Sequence, residues 1–253
     1  MESQPNYAIP LSIVIAGLLI ASAIYFGGNG KANLNNQQPD LVPIAQYTKP
    51  GAPNDHIIGA SLAKAKVAII VYSDLECPFC KIFDRAVMPL TASSTDIALV
   101  YRHFPIDANH KQARAEAEYA ACVAQTAGND AFWQFVNNVF ETTKSNDGLD
   151  LNNMPTLATK AGAKVTDVEK CVKDGTGNKI VKADEETGKA SGLNGTPFVI
   201  AVDLSNNQAI SLMESKPTAI KNPIIKDFYQ KLLTNWDKET QRFAKEAKAN
   251  QDK

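Results

Sequence analysis

The stretch KVAIIVYSDLECPFCKIF, Lys66 to Phe83, constrains the fold more than any other part of the chain. An unbroken apolar, β-branched run is followed at once by two cysteines, Cys77 and Cys80, which flank Pro78 and Phe79. A run of this length and continuity reads as a strand covered on both faces. After the cysteines, Ile82, Phe83, Val87 and Leu90 fall near helical spacing, and Pro78 suits a first helical turn, where no N–H is needed. Ile97 to Phe104 reads as a second strand. The result is a β-α-β unit with both cysteines at its first strand-to-helix junction.

The rest of the chain is read around that unit. HIIGA, from His56, forms a short edge strand, and Asp107 to about Lys189 is mostly helical, with Phe132, Trp133, Phe135 and Phe140 as helical core. Strand character returns in PFVIAV, and a turn at Asn206-Asn207 leads into AISLM as an antiparallel hairpin. Ile225, Phe228, Tyr229, Leu232 and Trp236 then form one apolar stripe, which predicts a docked terminal helix. Strands on both sides of the helical block form one sheet if the block is an insertion packed on it. No internal repeat is present.

With 253 residues, 44% of them apolar and 21% charged, the chain suits one ordinary domain plus appendages. A net charge of -1 and the absence of a basic stripe exclude nucleic acid as an expected partner. Residues 1–7 form a short tail, and Ala8 to Phe26 contains no charged side chain, long enough as a helix to cross a hydrocarbon core. A cleaved signal peptide is the rival, because Ala21-Ser22-Ala23 resembles a cleavage site, but MESQPNY lacks the usual basic segment and favours an uncleaved anchor. Residues 27–54, rich in Gly, Asn, Gln and Pro, read as a flexible linker. The folded domain is expected over 55–240, with its helical insertion at about 105–190, followed by a polar, Lys-rich tail over 241–253.

Three chemistries compete for the cysteines. A structural zinc site needs four convergent ligands, whereas Cys122 and Cys171 are isolated and the histidines show no ligand spacing, so no metal is expected. A purely structural Cys77–Cys80 bridge closes too short a loop to remove much unfolded-state entropy. Redox catalysis fits best, because a cysteine at a helix start meets free N–H groups and the positive end of the helix dipole, both of which favour thiolate. Cys77 is then the attacked and attacking sulfur, and the inward-pointing Cys80 the resolving one. Cys122 and Cys171 make the cysteine total even, which suits a bridge outside the cytosol; the alternative is two small buried apolar side chains.

YSDLECPFCKIF, VYRHFPI, AACVAQ followed by AFWQFVNNVF, and GLNGTPFVI together resemble the DsbA-like thiol-disulfide oxidoreductases, over roughly His56 to Val202. The resemblance implies an α/β, thioredoxin-like fold with a helical insertion, here preceded by one N-terminal transmembrane helix. It implies that Pro197 is cis, with its loop against the CPFC sulfurs and the Thr196 backbone open to an extended substrate. It also implies that Cys122 and Cys171 form an extra bridge, that Phe79 within the CPFC pair influences redox potential, and that no cofactor is needed. Many relatives carry a buried acid six residues before the first cysteine, where this chain has Val71; Asp74 and Glu76 lie closer to the pair. The usual glycine after the terminal hairpin is replaced by ESKPTAIKNP. His110 reads as a capping or surface histidine. Arg102 and His103 end a strand, and contact with the active-site face is the minor reading for them.

The expected function is that of a membrane-anchored thiol oxidase, its amino terminus cytoplasmic and its catalytic domain outside the cytosol. Reduced client proteins are its substrates, and the family implies a membrane quinone-linked partner as reoxidant. A reductase or isomerase of the same fold, or a non-catalytic partner-binding module, are the alternatives.

Overall fold

Two apolar side-chain sets alternate along each central strand, and that alternation determines the layering. In a computed structural model, which describes residues 41–92 and 94–251, strands β1 (His56–Gly59), β2 (Val67–Ser73), β3 (Ile97–His103), β4 (Phe198–Asp203) and β5 (Gln208–Ser211) form one sheet in the order β1-β3-β2-β4-β5. β2 and β3 are parallel, as a helical crossover requires, and the other pairs are antiparallel. Val67, Ile69 and Val71 pack on one face with Leu99, Tyr101, Val199 and Ala201, whereas Ala68, Ile70 and Tyr72 pack on the other with Val100, Ile200 and Val202. Both faces are covered, which is why β2 reads as unbroken apolar sequence.

Helix α1 (Pro78–Thr91) and the long terminal helix α7 (Pro223–Gln251) pack on the first face, where Phe83 meets Trp236 edge to face. Ile225, Phe228, Tyr229 and Leu232 are all buried there. Between β3 and β4 the chain forms α2 (Ala113–Ala127), α3 (Asn129–Thr142), α4 (Met154–Lys160), α5 (Val165–Lys173) and α6 (Thr176–Ala190). Phe132, Trp133, Phe135 and Phe140 are buried in this block. On the second sheet face α6 sits close: a Cβ on Gly188 would come within 2.9 Å of the Phe104 ring and 3.1 Å of the Tyr72 ring. A larger residue at 188 would push helix and sheet apart.

Two expected boundaries change. The span 8–26 and the first part of the linker lie outside the described residues, and among the described residues no helix is long and apolar enough to cross a membrane. The second part of the linker, 41–54, is docked rather than free. Pro43 bridges to Ile210, Ile44 N–H donates to the Ala209 carbonyl, and the Val42 N–H donates to Ser215 Oγ. The Arg102 guanidinium, inside the domain, fastens the segment by donating to the Thr48 and Lys49 carbonyls and to both Asp55 oxygens. Gly, Pro and Asn content marks irregular backbone, but it does not say whether that backbone finds partners. The polar tail is likewise continuous with α7 through Gln251, and Glu246 pairs with Arg85 of α1 at 3.0 Å. The ESKPTAIKNP segment carries a 3₁₀ turn, Pro217–Ala219, and delivers the chain into α7 without a glycine.

Candidate active site

Strand β2 ends at Ser73, and four residues later Cys77 occupies the N-cap of α1. The turn between them is tight. The Cys77 N–H donates to the Asp74 carbonyl at 3.2 Å, and the Asp74 N–H reaches Cys80 Sγ at 3.4 Å. Both thiols are free; Cys77 is 5% exposed and Cys80 1%. Pro78 takes the first helical position and Phe79 stands outward, 58% exposed. From the far end of the chain, the loop before β4 brings the Thr196 carbonyl to 3.5 Å from Cys77 Sγ, with the Thr196–Pro197 peptide cis. The structure thus brings Cys77, Pro78, Phe79, Cys80, Thr196 and Pro197 together.

The two sulfurs differ electrostatically. The Cys80 thiol donates to the Cys77 sulfur, and the N–H groups of Cys80 and Phe79 at the helix start add to this; although burial opposes charge, the Cys77 pKa falls to about 6. Cys80 moves the other way, raised first by burial and then by the negative charge of Cys77. At neutral pH the pair is a thiolate beside a thiol. Such a pair can attack a disulfide or, once oxidised, accept a thiolate at its more accessible sulfur.

Beneath the sulfurs lies a polar network that supports the turn. Glu76 is fully buried; it accepts from Thr143 Oγ1 at 3.0 Å, from Gly148 N–H at 3.0 Å and from Leu149 N–H at 3.3 Å, and its carbonyl accepts from Asn146 N–H at 2.9 Å. Lys81, one residue past Cys80, donates from Nζ to the Thr143 carbonyl at 2.6 Å. These bonds hold a loop in which Ser145, Asn146 and Asp147 all have left-handed backbones, with φ of 62, 54 and 64°, a conformation that side chains rarely adopt in succession. Glu116, on α2, is buried against Glu76. Its carboxyl is raised to about 10, first by burial and then by the neighbouring Glu76, so it is protonated at neutral pH.

Other residues singled out in the sequence lie elsewhere. Cys122 and Cys171 form a disulfide between α2 and α5. Val71 is buried on the α1 side of the sheet and supplies no acid. Arg102 points to Asp55, and His103 is buried in a ring cluster with His56, Tyr101 and Phe132. His110, by contrast, is buried at the site, its Nδ1 2.9 Å from Asp74 Oδ2. Sequence reasoning missed the depth of Asp74, Glu76, Glu116 and His110. More than 30 residues separate Asp74 and Glu76 from His110 and Glu116, a distance that carries no periodic signal, and a charged residue beside a catalytic turn looks the same whether it is solvated or buried. Among the described residues no three His, Cys, Asp or Glu side chains form a group suited to a metal ion.

Comparison with known proteins gives the same picture of the fold. Residues 51–222 match a protein family described as Thioredoxin. Over 68% of this chain and 98% of the other, the structure is similar to DsbA2 of Pseudomonas aeruginosa, with a TM-score of 0.55 and 26% identity. BdbD of Bacillus subtilis, in its oxidised form, is similar in fold, with a TM-score of 0.55 and 20% identity over 79% of this chain and 98% of that one. A stretch of 146 residues, 56% of this chain, is 30% identical to part of the Na(+)/H(+) antiporter NhaA 1 of Mycolicibacterium vanbaalenii. The match spans only 22% of that antiporter's length.

Proposed function

The chain belongs to the thioredoxin family, and from that premise we propose that it oxidises the thiols of client proteins through a Cys77–Cys80 redox disulfide. One observation carries this reading: the thiolate-favouring Cys77 caps α1 directly beside the buried Cys80 thiol and faces the Thr196 carbonyl. A client thiolate attacks Cys77 Sγ, the Cys77–Cys80 bond breaks, and the electron pair passes to the Cys80 sulfur, which takes up a proton. A second client thiolate then attacks the client sulfur of the mixed disulfide, and Cys77 leaves as thiolate. The client gains a disulfide and the enzyme retains two electrons as a dithiol. Stabilising the Cys77 thiolate stabilises that reduced enzyme, which supports the oxidising direction. The exposed Phe79 and the Thr196 backbone flank the sulfur and offer an extended client apolar and main-chain contacts.

The dithiol is returned to disulfide by an acceptor of two electrons, for which a membrane quinone-linked partner is the class proposed. Anchoring through Ala8–Phe26 with the domain outside the cytosol is part of the same proposal. The charge-free run and the Cys122–Cys171 disulfide, a bond that persists in oxidising compartments, support it. The test is equilibration of the full chain with glutathione buffers, beside thiol-oxidation and insulin-reduction assays of the wild type and Cys77→Ser. An equilibrium more oxidising than glutathione, with activity lost in Cys77→Ser, is expected. A strongly reducing equilibrium overturns the oxidase direction in favour of a reductase, and full activity of Cys77→Ser overturns the site.

A further inference from the structure

Asp74 is tied to the reactive pair from both ends of its backbone. Its carbonyl accepts from Cys77 N–H, and its N–H points at Cys80 Sγ. Its carboxylate, 0% exposed, faces away into the protein: Oδ1 accepts from Glu76 N–H at 2.8 Å, and Oδ2 accepts from Ile106 N–H at 2.8 Å and meets His110 Nδ1 at 2.9 Å. His110 comes from the segment between β3 and α2, where its own N–H donates to the Ile106 carbonyl at 2.9 Å. The backbone bond holds the residue and the Nδ1 contact holds the ring, its side chain 8% exposed. An imidazole that donates from Nδ1 to a carboxylate gains and loses its second proton at Nε2.

We propose, resting on the roles given above to Cys77 and Cys80, that Asp74 positions the His110 imidazolium so that its charge stabilises the Cys77 sulfur whenever that sulfur leaves as an anion. In that step the attacking client thiolate forms a bond to the client sulfur, the Cys77–client bond breaks, and the electron pair goes to Cys77 Sγ. His110 keeps its proton throughout and acts by charge alone.

The surroundings favour a charged ring. Burial opposes it, but the Asp74 hydrogen bond and the charges of Asp74, Cys77 and Asp147 outweigh burial and raise the His110 pKa. From the other elements around the pair, Cys80 lies on α1, Glu76 in the turn, Tyr101 on β3 and Glu116 on α2. Burial raises the pKa of Tyr101 and of Glu116, so both are neutral near pH 7. As pH rises through the His110 pKa, the charge is lost and Cys77 becomes the poorer leaving group.

Linkage supplies a test that needs no client: if the imidazolium stabilises the thiolate, the thiolate must stabilise the imidazolium equally. The full chain, solubilised in detergent and carrying isotope-labelled histidine, is titrated by NMR in its reduced and disulfide forms. The His110 resonance, identified by its loss in His110→Gln, should titrate about one pH unit higher in the reduced form, at the low end of what a nearby opposite charge produces. His110→Gln should shift the alkylation midpoint of Cys77 upward by about the same amount. Identical His110 midpoints in the two redox forms, or an unchanged Cys77 midpoint in a folded His110→Gln protein, overturn the proposal. The wild-type titration decides the matter alone if the variant does not fold. A wild type that shows the His110 shift but exchanges no client disulfides counts against the oxidase reading and not against this pair.

Discussion

At the scale of single residues, the cysteine pair shows how position decides chemistry, since one residue type takes opposite acidities within a single helical turn. Cys77, with a pKa of about 6, should be alkylated by iodoacetamide with a midpoint near that pH in the reduced protein. Cys80 should remain unmodified at neutral pH, as mass mapping of the labelled residue will show. Replacing Cys80 with Ser removes the resolving thiol and should leave client proteins trapped on Cys77 as mixed disulfides. Glu116 offers a second test. Its folded pKa of about 10 lies above that of an unfolded glutamate, so the folded state holds the extra proton. Its contribution is fully present below about pH 4.5 and is lost progressively as pH rises towards 10. Glu116→Gln, which is uncharged at every pH, should flatten that decline. Thermal melts of wild type and variant at pH 5 and pH 8 should show the variant gaining at the higher pH only.

At the scale of elements, the strand ends carry the supporting interactions. β3 places Tyr101 in the core under α1 and the next residue, Arg102, on the opposite face against Asp55, Tyr72 and the docked 41–54 segment. Both partners of the Arg102–Asp55 pair are 1% exposed in their side chains, at 2.7 Å. Removing one partner leaves the other charge buried and unpaired, which costs about 3–5 kcal/mol. Arg102→Ala should therefore lower the urea midpoint sharply and expose residues 41–54 to limited proteolysis, whereas Lys66, paired with Asp96 at the surface, should tolerate replacement with little change. The left-handed run from Ser145 to Asp147 belongs to this scale also. It persists because Glu76 and Gln112 bind the loop from outside it.

For the whole molecule, the insertion is cross-linked where the sheet is not. Cys122 and Cys171 are 49 residues apart in sequence, and closing a loop of that length in the unfolded chain contributes at most about 4 kcal/mol. The double replacement Cys122→Ala, Cys171→Ala should lower unfolding stability by up to about that amount. Because the bridge joins α2 to α5 and the reactive pair sits at the start of α1, the Cys77 alkylation midpoint should not move. A midpoint shift in the double variant would mean that the insertion helps to shape the site.

What the sequence determined by itself is what nearest neighbours decide. The β-branched run ending in CPFC specifies a strand, a tight turn and a helix whose first turn holds both sulfurs, because strand burial, proline at a first helical position and the helix dipole all act within about a dozen residues. The apolar stripe from Ile225 to Trp236 was legible for the same reason. Thr196 and Pro197 could be joined to the cysteines only by resemblance, since 119 residues separate Thr196 from Cys77. Tertiary structure alone decided that residues 41–54 dock, because backbone without periodicity is ordered only by partners such as Ser215 and Arg102. It also decided that His110 is not a surface residue. A polar side chain becomes part of a site when distant elements bury it against a complementary charge, and here the packing of the segment after β3 onto the Asp74 turn did so.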